Sequence, residues 1–283
     1  MRFYHVDVFA TEPMNGNGLT VVFPERELES KTLLKIAQEL KQFETIFVYP
    51  QNTEGCFPVR IFTTEEELAF AGHPILGAGA VLHSLIDKSS SEKSIQIQLP
   101  EKNTEVRTEY IAPYYTVTMN QGIPQWIQKV GQYHYDEIAK SLSMLPTQLA
   151  QEFPIEVVST GLPYLLVPIQ KGIGEVKINH DQFEQFLSTW GAKFVYVFEI
   201  PTLECRTWDN SGMNEDVATG SAAGLLCAYL VRKGFAKPDQ VINISQGKYI
   251  GRPSIIKGWV EKKNGHVNIQ GNVVFFGTGE ISI

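Results

Sequence analysis

Short stretches of this chain hold side chains that could move a proton on a bound anion. One is Phe70-Ala71-Gly72-His73-Pro74. Proline is pre-set for the first position of a helix, and glycine lets a ligand approach the backbone closely. The free N–H groups of such a turn suit a carboxylate or a developing oxyanion. His73 stands at the rim of that nest, although a loop with a packed histidine has the same pattern. A second stretch, Asp216-Val217-Ala218-Thr219-Gly220-Ser221-Ala222-Ala223-Gly224, repeats the device. Taken alone, Ser221 also reads as a plain helix N-cap and Asp216 as a turn residue. The third is Gln42-Phe43-Glu44-Thr45-Ile46-Phe47-Val48, a lone carboxylate between a phenylalanine and an apolar strand. A buried glutamate is suited to general acid/base work near neutral pH. The competing reading is an exposed glutamate at a helix–strand junction.

The elements that must position these residues are mostly short strands. Alternating or apolar runs rich in Val, Ile, Phe and Tyr occur at Arg2–Phe9, Leu19–Phe23, Thr45–Tyr49, Val59–Thr63, Tyr115–Met119, Tyr164–Pro168, Phe194–Glu199, Val241–Ser245 and Ile255–Glu261, among others. His266–Gln270 and Val273–Phe276 read as two separate strands. Turns are expected at Asn15-Gly16, Asn17-Gly18, Lys263-Asn264-Gly265 and Gly277-Thr278-Gly279. Helices are expected at Lys31–Lys41, with Ser30 as N-cap, and at Pro74–Leu85, Tyr135–Leu142, Asp181–Trp190 and Ser221–Arg232. The last is small and apolar throughout and should be buried. Strands outnumber helices and do not alternate with them one for one, which predicts an α+β fold with antiparallel or mixed sheets. The two glycine-containing turns each follow a charged, hairpin-like segment (Arg60–Phe70; Arg206–Val217) and each precede a set of strands. That repetition suggests two equivalent halves, residues 1–118 and 119–283, with the final strand able to return to the first half.

Composition removes several classes. The net charge of −7 argues against a general nucleic-acid binder. No apolar run approaches the roughly 20 residues of a membrane helix, and the N-terminus reads as a strand rather than a signal peptide, so a cytoplasmic protein is expected. The 3 cysteines, Cys56, Cys205 and Cys227, form no short-spaced pair, so reduced, buried thiols are expected rather than a disulfide framework or a zinc site. The 6 histidines are scattered, so no metal is expected. Neither Gly77-Ala78-Gly79 nor Gly220-Ser221-Ala222-Ala223-Gly224 matches a dinucleotide or P-loop fingerprint, so no nucleotide cofactor is expected. Arg60, Arg206, Lys248 and Arg252 are candidates for a second anionic group of a substrate, against strand-edge salt bridges.

The ordered set of motifs resembles the phenazine-biosynthesis F-like (PhzF-like) isomerases, which share the diaminopimelate epimerase fold. The matching residues are Gly16-Asn17-Gly18 with Val21-Val22, Glu44-Thr45, Arg60-Ile61-Phe62-Thr63 with Glu67-Leu68, Phe70-Ala71-Gly72-His73-Pro74 with Leu76-Gly77, Glu215-Asp216 with Ala218-Thr219-Gly220-Ser221-Ala222, and Gln246-Gly247 with Gly251-Arg252-Pro253-Ser254. The resemblance implies two similar domains, each a β-barrel-like mixed sheet wrapped around a central helix that starts at Pro74 or Ser221. It implies an active site in the cleft between them. Glu44, His73 and Asp216 would be catalytic. Asn17, Gly72, His73, Gly220 and Ser221 would bind substrate, partly through backbone N–H groups.

Diaminopimelate epimerase-type enzymes use two cysteines as opposed bases, and the corresponding turns here contain none. That favours a cofactor-free proton shift (allylic isomerisation or tautomerisation) by a single glutamate on a small carboxylated metabolite. The alternatives are an amino-acid or hydroxy-acid epimerase or racemase, and a non-catalytic metabolite-binding protein. Gly18, Thr64 and Val217 replace common family prolines, and Thr20 a common alanine. Trp208-Asp209-Asn210 replaces an apolar-small-proline segment, which predicts a reshaped pocket. A homodimer is expected from the prevalence of two-fold symmetry among soluble enzymes.

Overall fold

The computed structural model describes residues 1–86, 90–101 and 103–283. Its strands are β1 (Arg2–Val8), β2 (Asn17–Phe23), β3 (Glu44–Val48), β4 (Cys56–Phe62), β5 (Glu67–Leu68), β6 (Glu92–Gln98), β7 (Asn103–Ile111), β8 (Tyr114–Gly122), β9 (Gln125–Lys129), β10 (Glu156–Ser159), β11 (Pro163–Ile169), β12 (Phe194–Glu199), β13 (Glu204–Arg206), β14 (Ile242–Gln246), β15 (Ser254–Val260) and β16 (Val267–Glu280). Its α-helices are α1 (Ser30–Leu40), α2 (Gly72–Ile86), α3 (Tyr135–Ser141), α4 (Phe183–Ser188) and α5 (Gly220–Arg232). The chain divides into two compact units, Met1–Asn120 with Gln270–Ile283, and Gln121–Ile269.

In the first unit the strands follow the order β1-β2-β3-β4-β6-β7-β8-β16, and β16 pairs back onto β1. Among the described residues that closure leaves no long edge to template aggregation. The sheet is mixed. β2 and β3 run parallel, as do β4 and β6. Parallel neighbours need a crossover, and α1 and α2 lie within the two connections. The second unit repeats the scheme along β10-β11-β12-β13-β14-β15 and the first residues of β16. β11 and β12 are parallel across α4, and β13 and β14 are parallel across α5. The architecture is therefore α+β, with two similar units each built as a mixed sheet around a central helix.

The central helices are small-residue and apolar on every side, the signature of a helix with no solvent face. In α2, Gly72 through His83 are all buried, and in α5, Gly220 and Ala222 through Leu230 are. Close packing needs missing side chains. A Cβ at Gly77 would lie 2.3 Å from Leu19 of β2, and one at Gly258 of β15 would lie 2.6 Å from Cys227 Sγ of α5. The other helices cover the sheets from outside. α1 buries Leu33, Ile36 and Ala37 on Val22, Phe47 and Phe62. In the second unit, α3, with Leu142 just past its end, and α4 bring Ile138, Leu142, Phe183 and Leu187 onto Val157, Val167 and Val195.

Several sequence expectations are corrected. Ser30 is the first residue of α1 rather than its cap, which is Glu29, and the Ser30 hydroxyl instead accepts from the Arg60 guanidinium at 2.5 Å. α2 starts at Gly72, so Pro74 is its third residue, still within the first turn where N–H groups lack helical partners. α5 starts at Gly220 with Thr219 at the cap position, so Ser221 is not the N-cap. Asn17 and Gly18 begin a strand rather than a turn. Gly277-Thr278-Gly279 lies inside the 14-residue β16, opposite His5, Tyr4 and Phe3.

Glu204 on β13 carries a pH-dependent contribution to stability. It is 9% exposed, and burial pushes its carboxyl above the ordinary glutamate range, partly offset by Lys248. The folded protein therefore holds this proton more tightly than the unfolded chain. The resulting stability is present below about pH 4, the unfolded value, and is lost as pH rises through the folded value. Glu204→Gln is expected to raise the urea midpoint at pH 8 and to change it less at pH 4. A larger gain at pH 4 would contradict this account.

Candidate active site

β2 and β3 are parallel, with Leu19 opposite Glu44, so Asn17 and Glu44 open their strands at the same end of the sheet. The start of α2 brings His73 to them. Glu44 Oε2 lies 2.9 Å from His73 Nδ1, and the two side chains are 10% and 5% exposed. Asn17 Nδ2 lies 3.4 Å from the same ring nitrogen, with Asn17 1% exposed. Glu44 is thus a buried strand residue and not an exposed junction glutamate. Its Oε2 takes no hydrogen bond within the usual geometric limits among the described residues. The first turn of α2, at Gly72 and His73, presents its N–H groups and positive dipole end beside this pair.

In the second unit the corresponding turn is braced by a closed polar network. Thr219 Oγ1 donates to Asp216 Oδ2. Gln246, 1% exposed, donates from Nε2 to the Asp216 carbonyl (2.9 Å) and to Thr219 Oγ1 (3.0 Å). Its Oε1 accepts from the Thr219 N–H and from the Tyr196 hydroxyl, each at 3.1 Å. Asp216 is 7% exposed and holds the start of α5 through Thr219. The structure therefore brings Asn17, Glu44, Gly72 and His73 together in one unit, and Asp216, Gly220 and Ser221 together in the other. The sequence singled out Gln246 only as part of a motif, because nothing local shows that its amide bonds residues 27 and 30 positions away. Gln246→Leu removes the hydrogen bonds that Gln246 makes with the Thr219 N–H, the Asp216 carbonyl and the Tyr196 hydroxyl. At about 1–3 kcal/mol for a stranded buried group, with partial relaxation, a loss of about 3 kcal/mol in chemical denaturation is expected.

Arg60 and Arg206 do not serve as open anion sites. Arg60 donates from Nε (2.6 Å) and from its terminal nitrogen (2.5 Å) to the two Glu67 carboxylate oxygens. Arg206 does the same to Glu215, at 2.9 and 2.5 Å. Each guanidinium also stacks on the aromatic ring two residues along, Phe62 at 5.3 Å and Trp208 at 4.7 Å. Bidentate pairing of this kind occupies the fork that a substrate carboxylate would need. Cys56, Cys205 and Cys227 are free and buried. Burial pushes the Cys205 thiol up and the Cys227 thiol to about 12, which leaves neither available as a base. Among the described residues no group of His, Cys, Asp and Glu is arranged to hold a metal ion, and no helix is long and apolar enough to cross a membrane.

Comparison with known proteins identifies the family. The family model for phenazine biosynthesis-like proteins (PhzC-PhzF) matches residues 6–279. The trans-2,3-dihydro-3-hydroxyanthranilate isomerase of Pseudomonas chlororaphis is 31% identical over 98% of this chain and 97% of its own length. The enzyme of that name from Pseudomonas aeruginosa is 30% identical over 98% of each. Among solved structures, a predicted epimerase from Pseudomonas aeruginosa superposes with a TM-score of 0.94 at 37% identity, over 100% of this chain and 99% of that one. A hydroxyproline epimerase from Agrobacterium vitis shares the fold at a TM-score of 0.63 and 11% identity, over 99% of this chain and 91% of its own. The chain belongs to the phenazine biosynthesis-like (PhzC-PhzF) family and is an isomerase of that family.

Proposed function

We propose that this isomerase moves a proton between two positions of a small, cyclic, carboxylated and amino-bearing metabolite, with Glu44 as the acid/base group and no cofactor. The observation that carries the reading is the buried pair of Glu44 and His73, 2.9 Å apart at the start of a buried helix. The relatives named as isomerases act on trans-2,3-dihydro-3-hydroxyanthranilate, which has this chemistry. Glu44 takes a proton from carbon, and the C–H electron pair becomes a new π bond to the neighbouring alkene carbon, displacing the original π pair. The displaced π pair accepts a proton at another carbon, returned by the same carboxyl. No electrons leave the substrate, so the balance needs no oxidant or reductant. His73 holds Glu44 in place and shares its proton. Asn17 orients the imidazole, and the N–H groups at Gly72 and His73 face the substrate carboxylate as charge builds on it. For Asp216, Gly220 and Ser221, which lie together at the start of α5 in the second unit, the roles proposed are assistance in catalysis for Asp216 and substrate binding for the other two.

An epimerase of the two-thiol kind is disfavoured by the residues at the second position of each central helix, which are His73 and Ser221. The test is NMR in heavy water with trans-2,3-dihydro-3-hydroxyanthranilate and a panel of cyclic amino and hydroxy acids, on protein dialysed against chelator. Deuterium appearing at one carbon of a rearranged product supports the reading. Exchange at the α-carbon with loss of optical activity would replace it with an epimerase, and an inert panel would sink it in favour of a binding protein.

A further inference from the structure

The second residue of each central helix meets a side chain from a strand. His73 meets Glu44, and Ser221 meets Tyr164 of β11, whose phenol oxygen lies 3.0 Å from Ser221 Oγ. Tyr164 is 4% exposed. Its ring is wedged against Phe194 (centroids 5.8 Å apart) and Tyr196 (6.3 Å). Tyr196 in turn donates to Gln246, which also receives the Thr219 N–H at the helix cap. One frame therefore fixes the start of α5 through Gln246 and the Ser221 hydroxyl through Tyr164. From Asp216 to Leu230 every residue is buried except Val217 and Ser221, so Ser221 is the point where the buried helix end opens outward.

A serine hydroxyl has one proton and rotates freely, so an unrestrained Ser221 would meet a ligand in several orientations. A phenol is the better donor of the two hydroxyls. When Tyr164 donates to Ser221 Oγ, the serine proton is left to point elsewhere. We propose that Tyr164 is a positioning residue of the substrate site: its hydroxyl donates to Ser221 and turns the Ser221 proton toward a substrate oxygen. The proposal rests on the reading above that Ser221 binds substrate. Preorganisation of this kind acts on binding, because the orientation is settled before the ligand arrives.

The experiment is steady-state kinetics with trans-2,3-dihydro-3-hydroxyanthranilate on wild type, Tyr164→Phe, Ser221→Ala and the double variant, each checked by near-UV circular dichroism. Tyr164→Phe keeps the packed ring and removes one oxygen. A lost hydrogen bond of about 1 kcal/mol predicts a KM about 5-fold higher with kcat little changed. Because Tyr164 acts through Ser221, the double variant should be no worse than Ser221→Ala alone. An unchanged KM in Tyr164→Phe, with or without a lower melting temperature, would overturn the proposal. So would an effect that adds in full to that of Ser221→Ala. In both cases wild-type turnover stays intact, so the functional reading stands. A wild type inert toward this compound overturns the substrate reading, and this proposal with it.

Discussion

Glu44→Gln is expected to lower kcat by about 10³-fold and to abolish solvent deuterium incorporation, while leaving ligand binding and the melting temperature close to wild type. The magnitude is the middle of the ~10²–10⁴-fold range for a positioned acid/base group. Glutamine matches glutamate in shape, so Leu19 opposite and the buried start of β3 are undisturbed. The amide can face His73 Nδ1 from the same position, and it offers no carboxylate to take a proton from carbon. His73→Asn should be milder, about 10-fold to 10²-fold, because Glu44 would lose its partner and keep its own chemistry. Solvent exchange followed by NMR, with thermal unfolding alongside, separates loss of chemistry from loss of fold. A Glu44→Gln enzyme as active as wild type would remove this residue from the mechanism.

Arg206→Met should destabilise the protein by about 3–5 kcal/mol, the cost of leaving a buried charge without its partner. The Arg206 and Glu215 side chains are each 7% exposed. The guanidinium also donates to the carbonyls of Ile173 (3.0 Å), Gly174 (3.2 Å) and Val176 (2.9 Å). Removing it strands the carboxylate and those carbonyls together. The matching pair in the other unit, Arg60 and Glu67, is 23% and 33% exposed, so water can replace what is lost. Arg60→Met is therefore expected to cost about 1 kcal/mol, as for other solvated pairs. Urea unfolding of the two variants measures the contrast. Adding Glu215→Leu to Arg206→Met should recover part of the loss, because the orphaned charge is then gone. Equal costs at the two sites would contradict the assignment of the difference to burial.

Local patterns carried much of the fold. The apolar stripe of α1, the small-residue composition of α2 and α5, and the Asn264-Gly265 turn are each settled by residues within a few positions, because helix period and turn chemistry are near-neighbour properties. The repeated order of charged hairpin, glycine turn and buried helix likewise signalled the duplicated topology. The motif positions placed Glu44 and His73 as the residues to watch. Other features were decided only in three dimensions. Gly277-Thr278-Gly279 has the composition of a turn, yet it continues β16, because a Cβ at Gly279 would lie 2.7 Å from the Phe3 ring across the pair. Whether Arg60 and Arg206 are open or clamped depends on how the Glu67 and Glu215 hairpins fold back over them. The contacts of Asn17 with His73 and of Tyr164 with Ser221 join residues 56 and 57 positions apart. By itself the sequence determined which residue types were available for proton transfer and which helices had no solvent face. The tertiary structure decided which of those residues meet, because contacts across such separations are set by the packing of strands around the central helices and leave no periodic trace in the chain.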